Sequence, residues 1–342
     1  MPHYHETQQQ LRSSPKTWLV TGVAGFIGSN ILEQLLRLDQ HVVGLDDFST
    51  GHQRNLDEVQ QLVTADQWSR FSMIRGDITD LDACRQACVG ADYVLHHAAV
   101  GSVPRSIDEP LFAHAVNVTG TLQMLVAAKE ANVRRFVYAS SSAVYGDDAT
   151  LPKIESVLGN CLSPYAVSKL ADELYAQVCG RCYGIENVGL RYFNIFGPRQ
   201  DPNGAYAAVI PKWISAMMHG QEVHINGDGE TTRDFCYVSD VVQANILAAT
   251  TPSTEALGTA FNVARHSKTT LNELFEILRN CLAPFYPHLQ EFKPTYGPFR
   301  LGDVRHSEAS IDAAMRDLGF APEFTVADGL ETALAWYRTN LA

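Results

Sequence analysis

The sequence has no excess of positive charge: 26 Lys and Arg stand against 38 Asp and Glu, a formal net charge of -12. A nucleic-acid binder needs a basic surface to neutralise phosphates, so this balance argues against that class. It leaves room for a phosphorylated small molecule, which a few local arginines can hold. Long apolar runs are also missing, since none reaches the roughly 20 residues that span a bilayer. No membrane association is therefore expected. The first sixteen residues, MPHYHETQQQLRSSPK, are polar and lack the apolar core of a secretory signal. They read as a loose leader on a cytoplasmic protein. The seven cysteines, at 84, 88, 161, 179, 182, 236 and 281, form no dense framework and fit reduced thiols. Cys179 and Cys182 make a CxxC on an expected helix with no second ligand pair nearby, so no metal site is expected. Internal repeats and low-complexity segments are absent.

What is present is an ordinary globular composition, 46% hydrophobic and 19% charged. Short apolar runs predict strands at Thr17–Val20, His41–Leu45, Phe71–Ile74, Tyr93–Leu95, Arg135–Tyr138 and Asn187–Leu190. Helical patterns fall between them, including Asn30–Leu38, Thr121–Ala131 and Tyr165–Cys182. This alternation predicts an α/β fold, a doubly wound parallel sheet of Rossmann type covered on both faces. From about Gly197 the alternation breaks. The expected division is a leader at 1–16, a cofactor domain at 17–196 and a smaller α/β substrate region at 197–342, partly threaded back onto the sheet.

Thr21-Gly22-Val-Ala-Gly25-Phe26-Ile27-Gly28 follows a strand and opens a helix, which is the context a dinucleotide loop requires. Gly22 permits the tight turn, Gly25 admits a pyrophosphate near the backbone, and Gly28 lets helix and strand pack closely. Asp46 ends the next strand, 18 residues after Gly28 by position. A carboxylate there accepts ribose hydroxyls and repels a 2′-phosphate, so NAD is the expected cofactor. Asp77 and Ile78 end the third strand, where an adenine has room. After the fourth, His97 precedes the small Ala98 and Ala99, past which a dinucleotide can run close to the backbone.

Tyr165 and Lys169 form a YxxxK at helical spacing and share one face. A fixed ammonium beside a phenol favours the phenolate, which turns a weak acid into a usable base. Ser141 and Ser142 end the fifth strand and are suited to binding and relaying the proton of a reacting hydroxyl.

Together with Ser140–Gly146 and Arg191-Tyr-Phe-Asn194, these segments resemble the extended short-chain dehydrogenases/reductases. The resemblance is strongest to the bacterial UDP-N-acetylglucosamine 4-epimerase branch, through Arg105 in Gly101–Ser106, the run from Gln200, Arg233–Cys236 and Gly302–Ser307. It implies catalysis by Tyr165, Lys169, Ser141 and Ser142. It implies NAD contacts from the glycine turn and Phe26 and Ile27, from Asp46, Phe48, Ser49, Thr50 and Gly51, and from Asp77 and Ile78. Further NAD contacts are implied at His97, Ala98, Ala99, Asn117, Tyr165, Lys169 and Tyr192. Substrate contacts are implied at Gly101, Ser102, Ser141, Ser142 and Tyr165. Asn194, Arg233 and Arg300 would hold the diphosphate, Asp303 the uridine ribose, Ile225 the uracil, and Ala208 and Val209 the cleft wall. Ser307 would leave room for a 2-acetamido group.

Related dehydratases carry an acidic pair after the strand-end hydroxyl, and decarboxylases a Glu at the second position. Here Ser142 and Ala143 stand there, leaving 4-epimerisation of a UDP-sugar as the implied reaction. Two alternatives stay open: a 4-epimerase of UDP-hexuronic acids or their N-acetylated forms, with Arg105 or Lys212 facing the 6-carboxylate, and a non-catalytic NAD-binding sensor. The resemblance also implies a homodimer through a four-helix interface of Thr121–Ala131 and Tyr165–Cys182, whose apolar residues exceed one stripe.

Overall fold

A computed structural model describes residues 4–202, 208–299 and 305–341. Its centre is a seven-stranded sheet. The six predicted strands are β1 (Thr17–Thr21), β2 (His41–Asp46), β3 (Phe71–Arg75), β4 (Tyr93–His96), β5 (Arg135–Ser141) and β6 (Asn187–Tyr192). The seventh, Thr259–Val263, comes from the far half of the chain and pairs with β6. The order across the sheet is Thr259–Val263, β6, β5, β4, β1, β2, β3. Every neighbouring pair is parallel. Strands buried on both faces need continuous apolar runs, which is why Trp18-Leu-Val20, Val94-Leu95 and Phe136-Val-Tyr138 carry almost no polar alternation.

Helices cover both faces. Phe26–Arg37 and Val238–Thr250 pack on one side. Leu81–Cys88, Thr121–Glu130 and part of Pro164–Tyr183 pack on the other. A separate apolar core joins helices Val209–Met218, Leu271–Leu282 and Val326–Asn340. Short strand pairs form the roof above the sheet: Ile195–Phe196 with Cys236–Tyr237, Thr232–Arg233 with Thr269–Thr270, and His224–Asn226 with Thr295–Gly297.

Three expectations change. The leader is not loose, since Tyr4–Ser13 is a helix that buries Thr7 and Leu11. Gln40 anchors it: Nε2 donates to the Leu11 carbonyl at 2.9 Å, while Oε1 accepts from Lys16 N at 2.9 Å and Trp18 Nε1 at 3.2 Å. The first sheet helix begins at Phe26 rather than Asn30, immediately after the glycine turn. The stretch Pro110–Glu130 is one helical run of 21 residues, long and apolar enough by composition to cross a bilayer. It behaves as a core helix, because Val118, Met124, Leu125, Ala127 and Ala128 are buried and its Asn117 bonds to the Val100 backbone.

Candidate active site

In a doubly wound sheet, ligands bind where the strand order reverses, beyond the carboxyl ends of the strands. Here the reversal lies between β1 and β4, and a cavity of about 880 Å³ opens there. Its size is at the upper end for small-molecule sites, roughly 300–1,000 Å³.

The glycine turn forms the floor. Gly22 has φ 68°, and a Cβ there would meet Ala98 N at 2.8 Å. At Gly28 a Cβ would fall 2.1 Å from the Gly22 carbonyl oxygen, so only glycine lets the helix approach β1 this closely. Gly25 caps the helix with extended backbone and no side-chain bond, leaving the first-turn N–H groups for an anion. Asp46 is nearly buried, and burial pushes its carboxyl above the usual range. Its oxygens accept from Ala24 N at 2.9 Å and Phe48 N at 2.8 Å. The carboxylate thus shapes the turn, and each oxygen keeps a further lone pair for a ribose hydroxyl. Ser49, Thr50, Gly51, Asp77, Ile78, Ala98 and Ala99 line the same side.

His97 also lines the cavity. Its Nε2 pairs with Asn245 Oδ1 at 3.0 Å and its ring stacks on Tyr192 at 6.0 Å. Burial pushes its pKa down to about 3, so the ring is neutral, and its buried Nδ1 has no hydrogen-bond partner. An orphaned polar atom in the wall of a ligand cavity is a group that a bound molecule can satisfy. The glycine floor, the strand-end carboxylate and this orphaned nitrogen fit NAD.

The same cavity is lined by Tyr165, Lys169, Ser141 and Ser142. Ser163 caps the helix Pro164–Tyr183 by accepting from Ala166 N at 3.1 Å. The cap and Ser106 Oγ, which accepts from Tyr165 N at 3.0 Å, fix where that helix starts. Ser140 is spent on Glu173 at 2.5 Å. Ser141 accepts from Ala143 N at 3.2 Å, turning the chain so that Ser142 follows it along the cavity. Farther out, Gly101, Asn194, Ala208, Val209 and Arg233 line the wall.

Several expected residues stand elsewhere. Ile225 is fully buried in the second core, because alternation along His224–Asn226 turns His224 and Asn226 to the cavity instead. Asn117 does not face the cavity; it bonds Val100 N at 2.8 Å and Ser168 Oγ at 3.0 Å, and so positions the loop after β4. Ser102 caps the helix Val103–Asp108, and Phe48 packs behind the turn under the Arg75 guanidinium. Ser307 is outside the lining; its N–H donates to Thr232 O at 3.2 Å, one residue from Arg233. Arg300 and Asp303 lie outside the described residues. Missed by the sequence reading were His52, Asn55, Gln200 and Trp213, which join Lys212 along the wall. Asn55 donates to Ala24 O at 2.8 Å, and no local pattern marks it in the sequence. Among the described residues no cluster of three or more His, Cys, Asp or Glu could hold a metal ion.

The family model described as the NAD dependent epimerase/dehydratase family matches residues 18–264. The chain belongs to this family. The UDP-glucose 4-epimerase of Mycolicibacterium smegmatis is 36% identical over 324 residues, covering 94% of this chain and 98% of that one. The structure of a UDP-N-acetylglucosamine 4-epimerase from Methanobrevibacter ruminantium, in complex with UDP-N-acetylmuramic acid, superposes with a TM-score of 0.86. It is 37% identical and covers 95% of this chain and 99% of its own. A UDP-glucuronic acid 4-epimerase variant from Bacillus cereus, solved with NAD and a fluorinated substrate analogue, has 30% identity and a TM-score of 0.83, covering 94% and 99%. This member is thus an enzyme of the extended short-chain dehydrogenase/reductase type, and NAD is its cofactor.

Proposed function

We propose that this member of the UDP-sugar 4-epimerases interconverts UDP-N-acetylglucosamine and UDP-N-acetylgalactosamine through a 4-keto sugar. The observation that carries the chemistry is the presence of Tyr165, Lys169, Ser141 and Ser142 in the lining of the same cavity as the glycine turn. NAD supplies the oxidising and reducing equivalents when bound. Tyr165 takes the proton of the 4-hydroxyl, directly or through Ser141 or Ser142, and returns it to the same oxygen once the keto sugar has turned and presents the opposite face of C4. Lys169 holds a positive charge beside it. Arg233, helped by Asn194, grips the diphosphate with charge-assisted bonds while the keto sugar turns about that linkage. Few strong bonds to the ring are wanted, which suits Gly101 and Ala143 as neighbours.

Two features support the acetamido substrate: the 37% identity to an epimerase of that specificity, and a small residue at Ser307 beside the strand bearing Arg233. A second reading, UDP-hexuronates, draws on Lys212 in the cavity wall and on the glucuronate relative. Incubation with UDP-GlcNAc, UDP-glucose and their uronates, with product analysis, decides between them. The expected result is the highest kcat/KM on UDP-GlcNAc. A uronate preference that Lys212→Ala removes would put the second reading in its place.

The assembly we infer is a two-fold dimer. Val167, Leu174, Tyr175 and Val178 are exposed on the outer face of Pro164–Tyr183, and Leu111 and Phe112 are exposed nearby. Thr121–Glu130 exposes no large apolar residue, so the contact would use the start of the Pro110–Glu130 run instead. A cytoplasmic setting agrees with seven free cysteines.

A further inference from the structure

One turn beyond the YxxxK pair, the chain places a carboxylate behind the lysine. Lys169 Nζ lies 3.3 Å from Asp172 Oδ2. Both side chains are buried, with 5% and 2% exposure. The lysine faces the cavity and the aspartate stands behind it, away from the cavity wall. Asp172 Oδ1 is buried without a hydrogen-bond partner. The Thr121 hydroxyl approaches this carboxylate and lowers its pKa, and it also bonds His96 Nε2 at 3.1 Å. A buried carboxylate left half-satisfied is costly unless its charge is used.

We propose that Asp172 is a positioning residue for the Lys169 ammonium, and that its negative charge sets the pH range in which the Tyr165–Lys169 couple works. The inference rests on the assignment of that couple as catalytic.

The groups facing Asp172 are accounted for. On its own helix, Glu173 is bound to Arg191 at 2.8 Å and to Ser140 at 2.5 Å. From β5, Tyr138 is forced to stay neutral by burial and by the charges of Glu173 and Asp172. From β4, His96 is kept neutral by burial, with the Lys169 charge adding to it; His97, just after that strand, is held neutral the same way. Thr121 is the contact from the neighbouring helix. Asp172 is therefore the carboxylate that offsets Lys169. Burial raises its own carboxyl to about 6, against the pull of Lys169. Above that pH the pair is close to neutral, and Tyr165 feels only part of the ammonium's field. Removing the negative charge leaves a full positive charge and favours the phenolate at lower pH.

The test compares native enzyme with Asp172→Asn, Asp172→Ser and Asp172→Glu, using Tyr165→Phe and Lys169→Met as controls. Two quantities are followed against pH: kcat/KM, and the ultraviolet tyrosinate signal that disappears in Tyr165→Phe. In Asp172→Asn both should move to lower pH by about one unit, as expected for loss of one charge within several ångströms. Asp172→Ser should follow it, which guards against a folding defect peculiar to asparagine. Asp172→Glu should restore the native profile. Profiles in Asp172→Asn and Asp172→Ser that superpose on the native one overturn the proposal and make Asp172 a packing residue. Full turnover by Tyr165→Phe overturns the assignment of the couple, and this inference with it. Loss of turnover there, with unmoved Asp172 profiles, overturns the inference alone.

Discussion

Tyr165 occupies the second position of its helix, after Pro164, where backbone N–H groups have no partner within the helix. Its N–H instead binds Ser106, and Ser168 ties its carbonyl into the helix at 2.8 Å. The backbone is thus held by bonds that do not involve the phenol. Tyr165→Phe should lower kcat about a thousandfold, within the range for loss of a general base. Circular dichroism and the thermal midpoint should stay unchanged; native turnover in that variant would remove Tyr165 from the mechanism. Ser307→Tyr should reduce kcat/KM on UDP-GlcNAc about tenfold more than on UDP-glucose, measured side by side. Equal losses would mean that the residue does not gate the sugar.

At the scale of elements, the Tyr4–Ser13 helix is held by a few side chains against the helix Val238–Thr250. Leu11 is 5% exposed, so Leu11→Ala should cost about 2–4 kcal/mol in urea unfolding. Activity below the transition should be retained, because the helix touches none of the cavity wall. This element was hidden in the sequence because its average is polar and a single buried leucine sets its packing. The β1–β6 strands were legible because double-sided burial forces unbroken apolar runs. The glycine turn and YxxxK were legible because both are local spacings with a fixed geometric meaning. Ile225 was misplaced because a three-residue strand gives no periodicity to read, so its facing side depends on pairing with Thr295–Gly297. Asp172 went unremarked for another reason: only burial distinguishes it from a surface acid on a helix.

At the scale of the whole molecule, three aspartates have carboxyls raised to about 6, chiefly by burial: Asp172, Asp234 and Asp240. Each binds its proton more tightly in the folded state than at the ordinary 3.8. Through these groups the folded state holds extra protons between those values, but buried His96 and His97 stay neutral when folded and take up protons near 6.5 when unfolded, so the two contributions oppose each other between about pH 7 and 6 and the aspartates prevail only below about 6. Calorimetry should show a nearly flat thermal midpoint from about pH 7 to 6 and a small rise from about pH 6 towards pH 5. Below 3.8 the trend reverses, since bonding to Lys153 holds Asp148 down to about 2 and that contribution is lost on protonation. A midpoint that falls steadily from pH 7 to 5 would contradict these assignments. Assembly belongs to the same scale. Leu174 is 56% exposed on the face proposed to pair, so Leu174→Glu should halve the mass found by light scattering while leaving the fold intact.

The strand Thr259–Val263 is supplied only after the chain has left the sheet at β6 and laid down part of the roof, yet it completes the edge of the sheet beside β6. A fragment ending near residue 196 would leave β6 unzipped, with a row of unsatisfied amides ready to recruit another chain. Cofactor grip and sugar preference are therefore inherited as one piece. Anyone grafting a foreign specificity cap onto this scaffold must bring a matching last strand with it, or expect the hybrid to precipitate.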